Sequence, residues 1–167
     1  ACYTAMDVEY HTDIQKLETA ILYKLRTMTK DQLENLPDVN EGLHNRIFEC
    51  CRNSKSLSEL YNNLKTKRYT LARLRRIVMC ALLDITKDMQ QNDVQYVRVL
   101  AMNSVGSKLL SGCKLPLVCK YPQNYNKLSD IGKAMFDIDV KATDVFSLSI
   151  CDSGTYINEL KSQIIKN

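Results

Sequence analysis

The residues with the most chemistry to offer lie together in one stretch, Lys65 to Arg76, which reads KTKRYTLARLRR. Lys65, Lys67, Arg68, Arg73, Arg75 and Arg76 place their cations there with no acidic residue between them, although lysine plus arginine exceeds aspartate plus glutamate by only 23 to 19 over the chain. The charge is therefore concentrated rather than spread. Arginine forks present paired donors that match phosphate oxygens, and lysines add mobile point charges. Tyr69, in the middle, offers a ring on which a base can stack, and Thr70 offers a hydroxyl. The chemistry implied is recognition of a phosphate-bearing partner. The plainer alternative is a solvated basic helix face.

No other constellation competes. The five glycines, Gly42, Gly106, Gly112, Gly132 and Gly154, fall too far apart for a G-x-G-x-x-G or P-loop pattern. His11 and His44 belong to no H-x-x-H or H-x-G-H arrangement, and His44 reads as an ordinary helix-surface or capping residue. The cysteines, at positions 2, 50, 51, 80, 113, 119 and 151, form no C-x-x-C pair, and neither histidine stands at zinc-ligand spacing from them. An odd count of 7 suits reduced thiols, and hence the cytoplasm, better than a disulfide framework. Asp84 and Asp88, four apart, read as a solvated helix face rather than an acid/base pair. Glu41 reads as a capping carboxylate, and Arg46 as a partner for a neighbouring helix. No catalytic set and no metal site is expected. The longest apolar run, Val78 to Leu83, is far shorter than the ~18 residues of a membrane span. The opening segment ACYTAMDVEY has no charged region followed by an apolar one, so no signal peptide is read there.

The elements around the basic stretch are helical. Thr12-Asp13-Ile14-Gln15, Thr29-Lys30-Asp31-Gln32, Asp38-Val39-Asn40-Glu41 and Ser56-Leu57-Ser58-Glu59 each have the form of a capping box. Apolar residues follow at steps of three and four: Ile14, Leu17, Ile21, Leu25 and Met28; Leu33 and Leu36; Val39, Leu43 and Ile47; Leu57, Leu60, Tyr61 and Leu64. Thr70 is the expected N-cap of a long central helix carrying Leu71, Leu74, Ile77, Val78, Ala81, Leu82 and Ile85. Arg73, Arg75 and Arg76 then occupy its first two turns, where the macrodipole disfavours cations by about 0.3–1 kcal/mol each. Stability alone would not choose that arrangement. An anionic partner would, since it also meets the backbone N–H groups there.

Beyond Asp93 the periodicity weakens. Tyr96-Val97-Arg98-Val99-Leu100 fits a strand or a helix, Ser104-Val105-Gly106-Ser107 reads as a turn, and Leu117 to Tyr121 fits a second strand. Helical spacing returns at Ile131, Met135 and Ile138, at Val145, Phe146 and Leu148, and at Ile157, Leu160 and Ile164. The fold class is mainly α: a bundle of short capped helices around the helix from Thr70, with a small two-strand element near residues 96–121. Residues 1–92 are read as the bundle and 93–167 as a smaller, mostly helical subdomain, unless the two are continuous.

The blocks Glu41-Gly42-Leu43-His44-Asn45-Arg46-Ile47 and Lys65-Thr66-Lys67-Arg68-Tyr69-Thr70, with Arg73 and Arg76 behind, carry a resemblance. So does Tyr96-Val97-Arg98-Val99-Leu100, with Gly106, Leu109 and Leu110 downstream. Over roughly Ile21 to Lys120 the chain resembles the bacterial tRNA(Met) cytidine acetate ligases, nucleotidyltransferase-like proteins of the H-x-G-H superfamily. The resemblance implies an N-terminal Rossmann-like domain joined to a helical C-terminal region. It implies that ATP, with Mg, activates acetate as acetyl-adenylate, and that the acetyl group passes to N4 of the wobble cytidine of elongator tRNA(Met). The chain is similar to the C-terminal region alone, which fits an opening Ala1 in place of an initiator methionine, and on that reading binds no cofactor itself. Its expected partners are tRNA, the N-terminal domain of the same protein and a second copy in a homodimer, with no membrane. Its expected phosphate-binding residues are Lys65, Lys67, Arg68, Tyr69, Thr70, Arg73, Arg75 and Arg76. Glu41, Arg46 and Arg98 are secondary candidates. Within the same family, the Lys65–Thr70 loop would alternatively reach over ATP phosphates. From another class, the alternative is a helical interaction or dimerisation module with no nucleic-acid role.

Overall fold

A computed structural model describes residues 12–119, 124–150 and 165–166. The chain divides into two compact units. Described residues 12–91 and 146–150 belong to the first, and 92–119, 124–145 and 165–166 to the second.

The first unit is built from short helices. A 3-10 turn, Ile14–Leu17, runs into α1, Glu18–Thr27; α2 is Lys30–Glu34, α3 Leu43–Asn53, α4 Leu57–Leu64, α5 Leu71–Leu83 and α6 Lys87–Gln91. The capping residues explain most of the boundaries. Thr29 and Gln32 close a full reciprocal box at the start of α2. The Ser56 hydroxyl accepts from Glu59 N–H at α4, and Thr70 Oγ1 accepts from Arg73 N–H at α5. Two of the expected boxes are different devices. At the first, Asp13 rather than Thr12 is the cap, and its carboxylate accepts from Gln15 N–H to open a 3-10 turn. At the third, α3 begins after Gly42 with no side-chain cap at all.

Burial follows the periodicity. Ile21 and Leu25 of α1, Leu43 and Ile47 of α3, Leu57, Leu60 and Leu64 of α4, and Leu74, Ile77, Val78 and Ala81 of α5 are buried together with Leu33, Leu36 and Val39. Helix α1 packs on both α3 and α5, while α5 also touches α4. The polar sides of α1 and α3 lock each other. Arg26 of α1 donates to Cys51 O (2.9 Å) and Ser54 O (2.6 Å) at the end of α3, and Arg52 of α3 donates to Arg26 O (2.9 Å) at the end of α1. Each guanidinium thus satisfies carbonyls that a helix C-terminus leaves without partners. Helix α5 stops at Asp84, whose backbone is left-handed (φ 62°), and Ile85 N–H returns to Cys80 O. Ile85 lies just past the helix that the spacing assigned it to.

In the second unit β1, Val97–Arg98, pairs in parallel with β3, Leu117–Val118, with Val97 opposite Leu117. β2, Ala101–Met102, pairs in parallel with β4, Ile165–Lys166. Between β2 and β3 lies α7, Ser104–Leu110. The expected turn at Ser104–Ser107 is therefore helical. Asn103 makes the difference, its side-chain oxygen accepting from Gly106 N–H at 2.8 Å as an N-cap. Helix α8, Asp130–Leu148, joins two of the expected helical segments into one. Val118, Leu128 and Phe136 form the core here, with Tyr96 and Tyr125 edge-on to the Phe136 ring at 5.9 and 5.7 Å. The spacing at Ile157, Leu160 and Ile164 lies outside the described residues. No helix among the described residues is long and apolar enough to cross a membrane.

Candidate nucleic-acid interface

The basic stretch lies on the first unit, at the junction of α4 and α5. The chain leaves α4 after Leu64 and turns tightly. Thr66 N–H donates to Tyr69 O (3.3 Å) and Thr66 Oγ1 accepts from Tyr69 N–H (3.1 Å), closing a turn with Lys67 and Arg68 at its tip. Both are exposed, as is Lys65 before the turn. Arg73, Arg75 and Arg76 then come round the first turns of α5, with Arg75 and Arg76 exposed and Arg73 half-buried.

A loop opposite completes the arrangement. Residues 38–42, between α2 and α3, carry three of the positive φ angles: Asp38 (62°), Glu41 (53°) and Gly42 (79°). This backbone turns Asp38, Asn40 and Glu41 onto the basic stretch. Arg73 donates through Nε (3.2 Å) and Nη2 (2.6 Å) to Asp38 O and through Nη2 to Asn40 Oδ1 (2.6 Å). The Arg76 fork meets Asp38 Oδ2 at 2.9 and 3.2 Å, and Arg68 pairs with Glu41. Glu41 is thus an ion-pair partner and not the helix cap its position suggested.

These pairs orient the guanidinium groups without covering them. The side chains of Arg68 and Arg76 remain 59% and 64% exposed. An exposed ion pair is worth little, about 0–1 kcal/mol, so an incoming phosphate can compete for the same forks. Lys65, Lys67 and Arg75 have no carboxylate within ion-pair distance among the described residues. The open positive surface is therefore real, although half of it is shared with the 38–42 loop.

Tyr69 requires a correction. The residue is only 8% exposed, with the guanidinium of Arg73 5.3 Å and that of Arg68 6.0 Å from its ring centroid. No face is left for a base to stack on, and the ring instead supports those two arginines by packing and cation–π attraction. Thr70 spends its hydroxyl on Arg73 N–H at 3.4 Å. Arg46 donates to Asn63 O (2.5 Å), tying α3 to α4, as its position suggested. Arg98 belongs to the second unit, its guanidinium 5.6 Å from the Phe136 ring centroid. Sequence reasoning missed Thr66, Asp38 and Asn40. The last two were hidden because an acid-led tetrapeptide before a helix reads as a cap, while an ion pair 38 residues distant leaves no local trace.

Nearby titratable groups respond to this field. Burial raises the Cys80 thiol above its usual value, with Asp38 adding to the rise and Arg76 opposing it. Burial likewise raises the phenol of Tyr61, and Arg75 opposes it. Among the described residues no group of three or more His, Cys, Asp or Glu side chains is placed to hold a metal ion.

Comparison with known proteins supplies the family. The model of the HIGH Nucleotidyl Transferase family matches residues 2–160. A tRNA(Met) cytidine acetate ligase of Alkaliphilus metalliredigens is 34% identical over 143 residues, which cover 80% of this chain and 34% of that protein. One of Bacillus subtilis is 36% identical over 137 residues, covering 77% and 31%. The chain thus spans about a third of the length of the curated relatives it matches. Crystal structures of Thermotoga maritima TmcAL, apo and bound with alpha-thio ATP, superpose with TM-scores of 0.79 and 0.78. At 23% identity, over 92% and 93% of this chain and 41% and 42% of those chains, they establish a shared fold. From the family match over nearly its whole length, the chain belongs to the HIGH Nucleotidyl Transferase family, with relatives named tRNA(Met) cytidine acetate ligase.

Proposed function

We propose that this chain is the tRNA-engaging, C-terminal region of an ATP-dependent tRNA(Met) cytidine acetate ligase. In the full reaction ATP, with Mg, activates acetate as acetyl-adenylate, and the acetyl group passes to N4 of the wobble cytidine of elongator tRNA(Met). The part assigned to this chain is to hold the RNA. Adenylate formation falls to a nucleotidyltransferase domain outside it, and the site of action is the cytoplasm.

One observation carries the reading: a row of arginines and lysines on the first unit, all exposed but the half-buried Arg73, three of them without a carboxylate partner among the described residues and the others held in place by one loop. Backbone phosphates would be the ligands of Lys65, Lys67, Arg68, Arg73, Arg75 and Arg76, with Tyr69 and Thr70 holding the arginines in register. Such contacts position a nucleic acid without reading its sequence. The relatives' names point to the same substrate class.

The test is retention of a tRNA(Met) transcript by the parent protein and by a Lys65→Glu/Lys67→Glu/Arg75→Glu variant. Among the described residues these three positions have no internal ion pair, so the helical circular-dichroism signal should persist while retention is lost. Retention unchanged by the three reversals would remove the assignment. If the full-length protein lost adenylate formation and kept its RNA, the stretch would serve ATP phosphates instead. Salt-insensitive self-association with no RNA retention would favour a helical interaction module.

A further inference from the structure

A cleft of about 410 Å³ opens on the first unit between the Ile14–Leu17 turn, α4 and α5, beside the basic stretch. Its volume lies within the ~300–1,000 Å³ of small-molecule sites. Ile14, Tyr61 and Met79 line it with apolar and aromatic surface, and Gln15, Ser58 and Arg75 bring an amide, a hydroxyl and a guanidinium to the same space. Among the described residues none of those three side chains has an internal hydrogen-bond partner. Ile14 is 44% exposed, so part of its apolar surface stays open at the cleft.

The combination is selective. A purely apolar groove would suit a partner helix, and a purely basic one any polyanion. Here an aromatic ring, apolar side chains, two neutral hydrogen-bonding groups and one cation share a single slot. Arg75 is at once a lining residue of the cleft and a member of the phosphate-facing row, so a nucleotide with its phosphate on that row would have its base within reach of the slot.

We propose that the cleft lined by Tyr61, Ser58 and Arg75 is a pocket for one unstacked nucleobase of the bound RNA. The base stacks on Tyr61 against Met79, Gln15 and Ser58 meet its edge, and Arg75 takes the adjoining phosphate. This rests on the RNA-binding function proposed above and adds to it a base-specific contact. The geometry also restores the aromatic contribution that Tyr69, being buried, cannot make. RNA proteins commonly favour such splayed-out bases because their faces and edges are both open to contact.

The test pairs two ligands, a tRNA(Met) transcript and heparin, a polyanion without bases. Tyr61→Leu keeps apolar bulk and removes the ring, and Ser58→Leu, at an exposed position, fills the slot without touching the core. Both should weaken tRNA binding about five- to hundredfold, the range of one base–aromatic stack, with heparin affinity and the tRNA salt slope unchanged. Arg75→Gln should weaken both ligands and flatten the salt slope by about one contact. If both leucine variants bind tRNA as the parent does, the pocket is overturned while the phosphate-binding reading stands. If they lose tRNA and heparin equally, the cleft acts only through charge or fold, and the pocket is again overturned. If the parent protein itself fails to bind tRNA, both proposals fall together.

Discussion

Salt dependence gives the sharpest check on the basic stretch, because the structure says which cations are free to count. If all of Lys65, Lys67, Arg68, Arg73, Arg75 and Arg76 neutralise phosphates, log affinity should fall with log salt at a slope of about −4.2 to −5.4. Between about 50 and 200 mM salt that is a loss of roughly several hundred- to two-thousand-fold. Lys65, Lys67 and Arg75 have no ion-pair partner among the described residues, so replacing all three with glutamine should leave stability within about 0.5 kcal/mol. It should also halve the slope, reducing the loss over the same salt range to roughly 20–40-fold. Filter retention of a labelled tRNA(Met) transcript at four salt concentrations measures both slopes. Arg73 and Arg76 are a poorer choice for charge reversal. A carboxylate at either position would face Asp38, and lost binding would then be confounded with a disturbed loop. A slope that stays near its parental value in the triple glutamine variant, with binding intact, would refute the argument that these side chains meet the RNA.

Three further outcomes are expected. Arg73→Ala should cost about 1–2 kcal/mol in urea unfolding, from a half-buried fork that makes three hydrogen bonds to Asp38 and Asn40, and Arg73→Lys should recover less than half of it. Gly42→Ala should cost about 1–2 kcal/mol from the left-handed backbone alone, since an added Cβ would meet nothing within 4 Å, and Gly42→Asn should cost less. Tyr96 is half-buried, and that burial, with the hydrogen bond it donates to Asp139, holds its phenol well above the usual value of about 10. The folded form therefore resists an ionisation open to the unfolded chain. The resulting stability is complete below about pH 10 and is lost as pH rises beyond it, so alkaline unfolding of the parent should be steeper than that of Tyr96→Phe.

Much of the first unit was legible because local chemistry and packing agree there. The Thr29–Gln32 box, the Ser56 and Thr70 caps and the Leu57-Leu60-Leu64 stripe each state in four to eight residues what the fold then uses. Legibility failed where one residue type serves two devices. Asp38 and Glu41 look like a cap because an acid before a helix usually is one, yet a left-handed backbone turns them towards arginines far along the chain. Asn103 was overlooked for the converse reason, since Ser, Gly and Ser after it suggest a turn, whereas the helix needs only its side-chain oxygen to start. The short strands of the second unit carry too few residues for alternation to declare itself. At the candidate site the cations could be counted from the sequence, but not their exposure, and the burial of Tyr69 could not be foreseen from a flanking pattern that is almost wholly polar.

The crossed fastening of Arg26 and Arg52 has a practical corollary. Dicarbonyl reagents such as phenylglyoxal, a usual means of asking whether guanidines matter to RNA capture, would also reach side chains that clamp two helix ends together. Inactivation would then report collapse as readily as lost recognition. Only site-by-site replacement, leaving positions 26 and 52 untouched, can separate the arginines that fasten the scaffold from those that face outward.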